Sequence, residues 1–168
     1  MAQEVRSQLV SRVSGLAWIS NSRGRVLTVL GEQGPRLPGG PVRDRQSDVA
    51  AVLGHVSQDT GLSVTPVRLL GINWEELPGA EVSQSFVYLC RAVSPCALVC
   101  PPDTATRQSH PWAIGWLTLG EARQDMPPAS LRVFEAMWRA WRDNTTTVLQ
   151  HGRPALGAPE YQASSWPS

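Results

Sequence analysis

"GGPVRDRQSDVAAVLGHVSQDTGL", residues 39–62, decides how this chain is read. Two glycines open it and Gly61-Leu62 close it. Between them the spacing predicts a helix from about Ser47 to Thr60. Ser47 is of the type whose hydroxyl caps a helix N-terminus. Val49, Val52, Leu53 and Val56 recur at helical spacing and predict one apolar face. Gly61 fits the left-handed position that ends many helices. Asp48 and Asp59 are the acids of this helix.

Upstream, "VSGLAWIS" and "RVLTVL" are apolar and rich in β-branched residues. "NSRG" between them is turn chemistry, so residues 13–30 are expected to form a hairpin. "GEQGPRLPGG" is so rich in Gly and Pro that a loop is expected. Downstream, "VRLLGINW", "SFVYLCRAV" and "WAIGWLTL" read as strands. A short helix is expected around Gly120 to Gln124. "ASLRVFEAMWRAWR" reads as a helix with Leu131, Phe134, Met137, Trp138 and Trp141 on one side. After Asp143 periodicity fades. Residues 1–143 are therefore read as one domain and 144–168 as a mostly irregular tail. Strands interleaved with helices predict an α/β fold, a mixed sheet covered on both faces.

Bulk properties set the outer limits. The chain has 168 residues, enough for one domain with a real core. Apolar content of 42% and charged content of 17% describe a globular chain, not a disordered one. No apolar run is long enough for a membrane span. "MAQEVRSQLVSR" contains Glu4 and lacks an apolar core, so it does not read as a signal peptide, and a cytoplasmic location is expected. A net charge of +1 argues against a nucleic-acid partner. Cys90, Cys96 and Cys100 are read as reduced thiols, and no second Cys/His pair makes the last two half a zinc site. All 15 basic residues are arginine, so neither a Schiff base nor a lysine general base is available.

The 39–62 segment resembles the Nudix box: Gly, five residues, Glu, seven residues, Arg-Glu, an aliphatic, any residue, Glu-Glu, any residue, Gly and an aliphatic. Gly40 and Gly61 lie 21 positions apart, as in that pattern. Leu37-Pro38-Gly39-Gly40 ahead of the helix also matches. The similarity extends over about residues 10 to 142. It implies a Nudix-type α/β/α sandwich with a mixed central sheet, and a magnesium-dependent activity on diphosphate linkages.

The acids that such chemistry uses are mostly replaced. The first glutamate falls on Gln46, the arginine on Gly54, its neighbouring glutamate on His55, and the paired glutamates on Gln58 and Asp59. Magnesium polarises phosphoryl oxygens and activates water. It demands hard, charged oxygen ligands in near-octahedral geometry. Positions 55, 58 and 59 share a helix face. Three glutamates there make an anionic cage, whereas His55, Gln58 and Asp59 supply one carboxylate. Asp44, Asp48, Glu75, Glu76 and Glu81 are candidate replacements from nearby loops. No cofactor is expected, and magnesium only if such ligands restore the site.

Three readings follow: a binding protein that has lost hydrolysis, a reused cleft running a metal-free reaction as in a biosynthetic pathway, or an atypical hydrolase of nucleoside diphosphate compounds. For the second, His55 is the acid–base group, since its ordinary pKa near 6.5 suits neutral pH. Asp59 would orient it and Gln58 would donate to the substrate. The binding reading places a small anionic or aromatic ligand near Arg36, Gly39, Gly40, Arg43, Arg45, Trp74 and Trp116. Arginines at a helix entrance can grip phosphate, and tryptophans can stack a ring. Trp138 and Trp141 are read as helix-packing residues or part of a homodimer face. His110 is read as a loop residue.

Overall fold

The computed structural model describes residues 11–78, 81–93 and 114–155. Alternation along β1 (Ser11–Ile19) explains its plan. Leu16 and Trp18 join one apolar cluster, while Ala17 and Ile19 join another. Successive side chains of a strand point to opposite faces, so β1 is buried on both sides and belongs to a middle layer.

The other elements are β2 (Val26–Gly31), β3 (Gly34–Arg36), β4 (Gly39–Pro41), α1 (Asp48–Thr60), β5 (Val64–Leu77) and β6 (Glu81–Ala92). They continue with β7 (Ile114–Leu117), α2 (Leu119–Asp125), α3 (Pro128–Arg142), β8 (Thr147–Gln150) and β9 (Arg153–Pro154). A six-stranded sheet runs β4-β1-β6-β5-β8-β9, and a three-stranded sheet runs β3-β2-β7. The larger sheet is mixed: β1–β6 and β5–β8 are parallel, its other pairs antiparallel. Helix α1 covers the Ala17 and Ile19 face through Val52 and Val56. Helix α3 covers the Trp18 face through Phe134, Met137 and Ala140. The result is the expected α/β/α sandwich.

Helix α1 is set by local chemistry. The Ser47 hydroxyl accepts from the Ala50 N–H at 3.1 Å, and Gly61 ends the helix at φ 71°. Its buried residues are Ala51, Val52 and Val56, while Leu53 is solvent-exposed. The apolar stripe is thus rotated toward Ala51, the small side chain that lets α1 approach the sheet. Gly15 permits the same approach, since a Cβ there would overlap the Asp48 carbonyl. Helix α3 begins with Pro128 in its first turn, where no N–H partner is lost. Trp138 and Trp141 pack with Trp18 and Phe134, at ring-centroid separations of 5.0 to 6.1 Å.

Three expectations are corrected. Residues 13–30 are not a hairpin: a turn forms at Asn21, but one bridge, Ser20 to Val26, joins the two strands before they enter different sheets. The Gly- and Pro-rich 31–40 stretch contains β3 and leads into β4. Gly39, at φ 136°, pairs so closely with β1 that a Cβ would overlap the Gly15 carbonyl, so the glycine that reads as a loop signal serves strand pairing. Residues 147–154 are not irregular: β8 pairs with β5, and Leu149 is fully buried. The segment is anchored by Arg68 Nη1 donating to the Thr145 carbonyl at 2.7 Å. Four residues are too few to display a period, and the partner strand supplies the order. Cys96, Cys100, His110 and Trp112 lie outside the described residues.

Candidate functional site

A cleft of about 300 Å³ opens on the α3 side of the larger sheet. Leu16, Leu37, Val133 and Phe134 form its apolar bed. Gln33, Arg36, Asn73, Glu75, Ser85 and Ser130 bring polar groups to it. An apolar concavity with a few converging polar groups is the usual form of a small-molecule site.

Asn73 organises one wall. It is buried, its Oδ1 accepts from the Gly152 N–H at 2.8 Å, and its Nδ2 donates to Glu75 Oε1 at 3.1 Å. The β8–β9 turn therefore fixes the amide, and the amide fixes the carboxylate. A polar residue inside the apolar run "LLGINW" was the sequence signal for this group, because a buried amide must find partners. Leu16, Ser85 and Ser130 carried no comparable signal.

Arg36 organises the other wall. Its Nη1 donates to the carbonyls of Leu37 at 3.1 Å and Gly39 at 2.9 Å. Its Nη2 donates to Asp59 Oδ2 at 3.4 Å. The Asp59 side chain is only 11% exposed. The last acid of the box helix is thereby joined to the cleft by a guanidinium.

His55 and Asp59 do not form the pair that their spacing suggests. His55 Nε2 lies 3.0 Å from the Pro41 carbonyl. A carbonyl only accepts, so Nε2 carries a proton, and in the neutral ring Nδ1 keeps the lone pair. The ring lies against Gly40, where a Cβ would be 2.8 Å from two ring atoms. Pro41, not Asp59, therefore selects the tautomer. Gln58 is exposed, and Gln46 accepts from the Arg43 N–H at 3.0 Å.

The remaining sequence candidates separate. Gly39 sits beside Arg36, and Gly40 under His55. Arg43 and Arg45 are exposed ahead of α1 and do not line the cleft. Trp74 follows Asn73 and points to the opposite face, where it lines a different hollow with Glu76, Val148 and His151. Trp116 packs against the α1-side core. Strand alternation excludes Trp74 from the cleft that Asn73 lines, and core packing takes Trp116.

The metal that the resemblance implies does not fit these residues. Asp59 is engaged by Arg36, the His55 Nε2 by a carbonyl, and Gln58 is a neutral amide. Of the proposed substitutes, Glu75 lines the cleft and accepts from Asn73 Nδ2 at 3.1 Å. Asp48 accepts from the Tyr88 hydroxyl at 2.5 Å, whose pKa is pushed up to about 12 by burial first and by Asp48 second. Glu81 pairs with Arg12 at 2.9 Å, and Glu76 faces the Trp74 hollow. Asp44 is exposed. Among the described residues no three His, Cys, Asp or Glu side chains cluster as a metal site. Within the same residues no helix is long and apolar enough to cross a membrane.

The sequence matches no protein-family model and no curated protein. Solved structures do resemble it. A UDP-X diphosphatase aligns with a TM-score of 0.62 at 16% identity, covering 88% of this chain and 70% of that one. A MutT protein from Methanosarcina mazei Go1 aligns with a TM-score of 0.59 at 22% identity, covering 82% and 97%. A Nudix hydrolase from Nitrosomonas europaea aligns at 0.58 and 18% identity, covering 80% and 90%. At such identities the likeness is one of architecture: this chain has the Nudix hydrolase fold.

Proposed function

We propose that this Nudix-fold chain binds a nucleoside-diphosphate-type ligand in the Arg36–Glu75 cleft without a divalent metal, and that magnesium-dependent diphosphate hydrolysis is absent or very weak. The observation that carries the reading is the cleft itself. Leu16, Leu37 and Phe134 offer an apolar bed for a ring, with Arg36 on one wall and the Asn73-fixed Glu75 on the other. A guanidinium suits phosphate, and a carboxylate accepts from base or sugar N–H and O–H groups. The ligand class follows the fold by analogy with neighbours such as the UDP-X diphosphatase. Hydrolysis is disfavoured because positions 46, 55 and 58 hold Gln, His and Gln.

A thermal-shift panel of ADP-ribose, UDP-glucose, nucleotides and aromatic acids tests it. Ligand at about 100 times its Kd adds about 2.7 kcal/mol of stability. Stabilisation by nucleotide compounds in EDTA is expected. No stabilisation by any member of the panel, or turnover near about 1 per second with magnesium, defeats the proposal.

A second reading is favoured by the Nδ1 of His55, which has no hydrogen-bond partner among the described residues. The Pro41 carbonyl holds the proton on Nε2, leaving Nδ1 as a base for metal-free proton transfer. Such an activity would survive EDTA, fall by about 10²–10⁴-fold in His55→Ala, and survive Asp59→Asn. Loss with EDTA and recovery with added metal would refute it.

A further inference from the structure

We infer that the Arg36 guanidinium is a resident cation of this fold, holding the oxygens beside the cleft that would otherwise face a divalent metal, and that it makes the site a metal-independent anion receptor. Three oxygens converge on it: the carbonyls of Leu37 and Gly39 and the carboxylate of Asp59. Hard oxygens, one of them charged, are what magnesium or manganese seeks. Here a side chain of the same chain takes them. Carbonyl oxygens and a largely buried carboxylate need a positive or donating partner, and Arg36 supplies both in one planar group.

Donor counting gives the consequence for ligands. A guanidinium has five N–H donors. Among the described residues two from Nη1 and one from Nη2 are used internally, and Nε–H and one Nη2–H have no partner there. These two suit one phosphate or carboxylate of a cleft ligand. Arg36 lines the cleft, and its side chain is 37% exposed, so the guanidinium is not sealed from a cleft ligand. The stem lies over Gly31, where a Cβ would come within 3.3 Å of Cδ and Nε. The glycine leaves the guanidinium its position. Lysine could not reproduce this: three donors on a point charge cannot serve three internal oxygens and an external anion together.

The inference goes beyond the proposed ligand and is tested without it. The probe is Mn²⁺ alone, its free fraction measured by electron paramagnetic resonance. Wild type and Gln58→Glu, which adds a second carboxylate beside Asp59, are both expected to bind no Mn²⁺ at this site. Arg36→Ser combined with Gln58→Glu is expected to gain one site. Repulsion between a guanidinium and a divalent ion at contact distance supports at least about a tenfold difference in affinity. Arg36→Lys with Gln58→Glu keeps the charge and should still exclude Mn²⁺, and it serves as the control if the serine variant folds poorly. A wild-type site abolished by Asp59→Asn overturns the inference. So does Mn²⁺ binding by Gln58→Glu alone as tight as by the double variant. So does a folded double variant that gains no site. None of these results bears on whether a nucleotide enters the cleft.

Discussion

Replacing Gly40 with alanine tests the geometry of the box helix most sharply. Gly40 is not in the left-handed region, unlike Gly39 at φ 136°, so its backbone does not require glycine. What it requires is space. A Cβ there would lie 2.8 Å from His55 Cε1 and Nε2 and 2.9 Å from Nδ1, closer than real Cβ atoms come. The imidazole must move, and the Nε2–Pro41 bond of 3.0 Å goes with it. The ring is the far end of a half-buried side chain that can turn aside, so the displacement costs about 1 kcal/mol, the low end for overpacking. The solvent-accessible hydrogen bond contributes about 0.5 kcal/mol, the low end for such bonds. Gly40→Ala should therefore destabilise by about 1.5 kcal/mol, or roughly 3–6 °C in Tm for a chain of this size. The decisive assay is a double-mutant cycle by urea denaturation with His55→Ala, which removes the obstructing ring. If the ring is the cause, the double variant is more stable than additivity predicts by about 1 kcal/mol or more. Additivity within about 0.5 kcal/mol would refute the contact.

Other outcomes follow from neighbouring features. Gly71→Ala puts a Cβ against the Met137 thioether and the Thr147 carbonyl, both within 2.8 Å, and should cost about 1–3 kcal/mol by urea denaturation. Asn73→Leu unties the β8–β9 turn, so amide exchange at Gly152, which donates to Asn73 Oδ1, should accelerate while α1 amides keep their protection. Burial pushes Cys90 up to about 12, and Tyr88 reaches about 12 as well. Both neutral forms are favoured by folding, so the stability they contribute is complete below their unfolded values. It should drain away as pH rises from about 9 toward 12; a flat urea midpoint across that range contradicts this. Glu121 is held below the usual carboxylate range, first by the Thr118 backbone N–H of the α2 capping box. Its contribution is present above pH 4.5 and is lost on acidification. Glu121→Gln should therefore cost about 0.5–1 kcal/mol at pH 7 and less at pH 3.

The sequence was most informative where one residue type has one physical use. Ser47 and Gly61 bracket α1 because a hydroxyl cap and a left-handed terminator have few alternatives. The α3 face and the later strands followed from the sequence pattern, the α1 face only in part because Leu53 is exposed and Ala51 buried instead, and the glycine spacing of 39–62 pointed to the fold that the structure shows. Legibility failed where tertiary pairing gives a residue its conformation. The glycines of β4 look like loop because what they provide is the absence of a side chain, Gly39 against β1 and Gly40 against the His55 ring. Thr147–Gln150 looks like tail because β5 supplies its order. The candidate site divides along the same line. Arg36 and Gly39 were identified from the motif, but the Arg36–Asp59 pair joins residues 23 positions apart and leaves no local mark. His55 and Asp59 have the right helical spacing for each other, yet each has another partner, the Pro41 carbonyl and Arg36 respectively. Trp74 fell on the wrong face because the strand's facing was not visible until Asn73 was seen to be buried.

The central claim is metal-independent recognition in the Arg36–Glu75 cleft, and calorimetric titration of ADP-ribose into the protein, first in EDTA and then in excess magnesium, tests it most directly. The two titrations should give the same Kd, with no diphosphate cleaved during either. Arg36→Gln should weaken both by at least about tenfold, since a charge-assisted contact to phosphate is worth about 1.5–3 kcal/mol. Binding that appears only with magnesium, or unaltered binding by Arg36→Gln, would contradict the account.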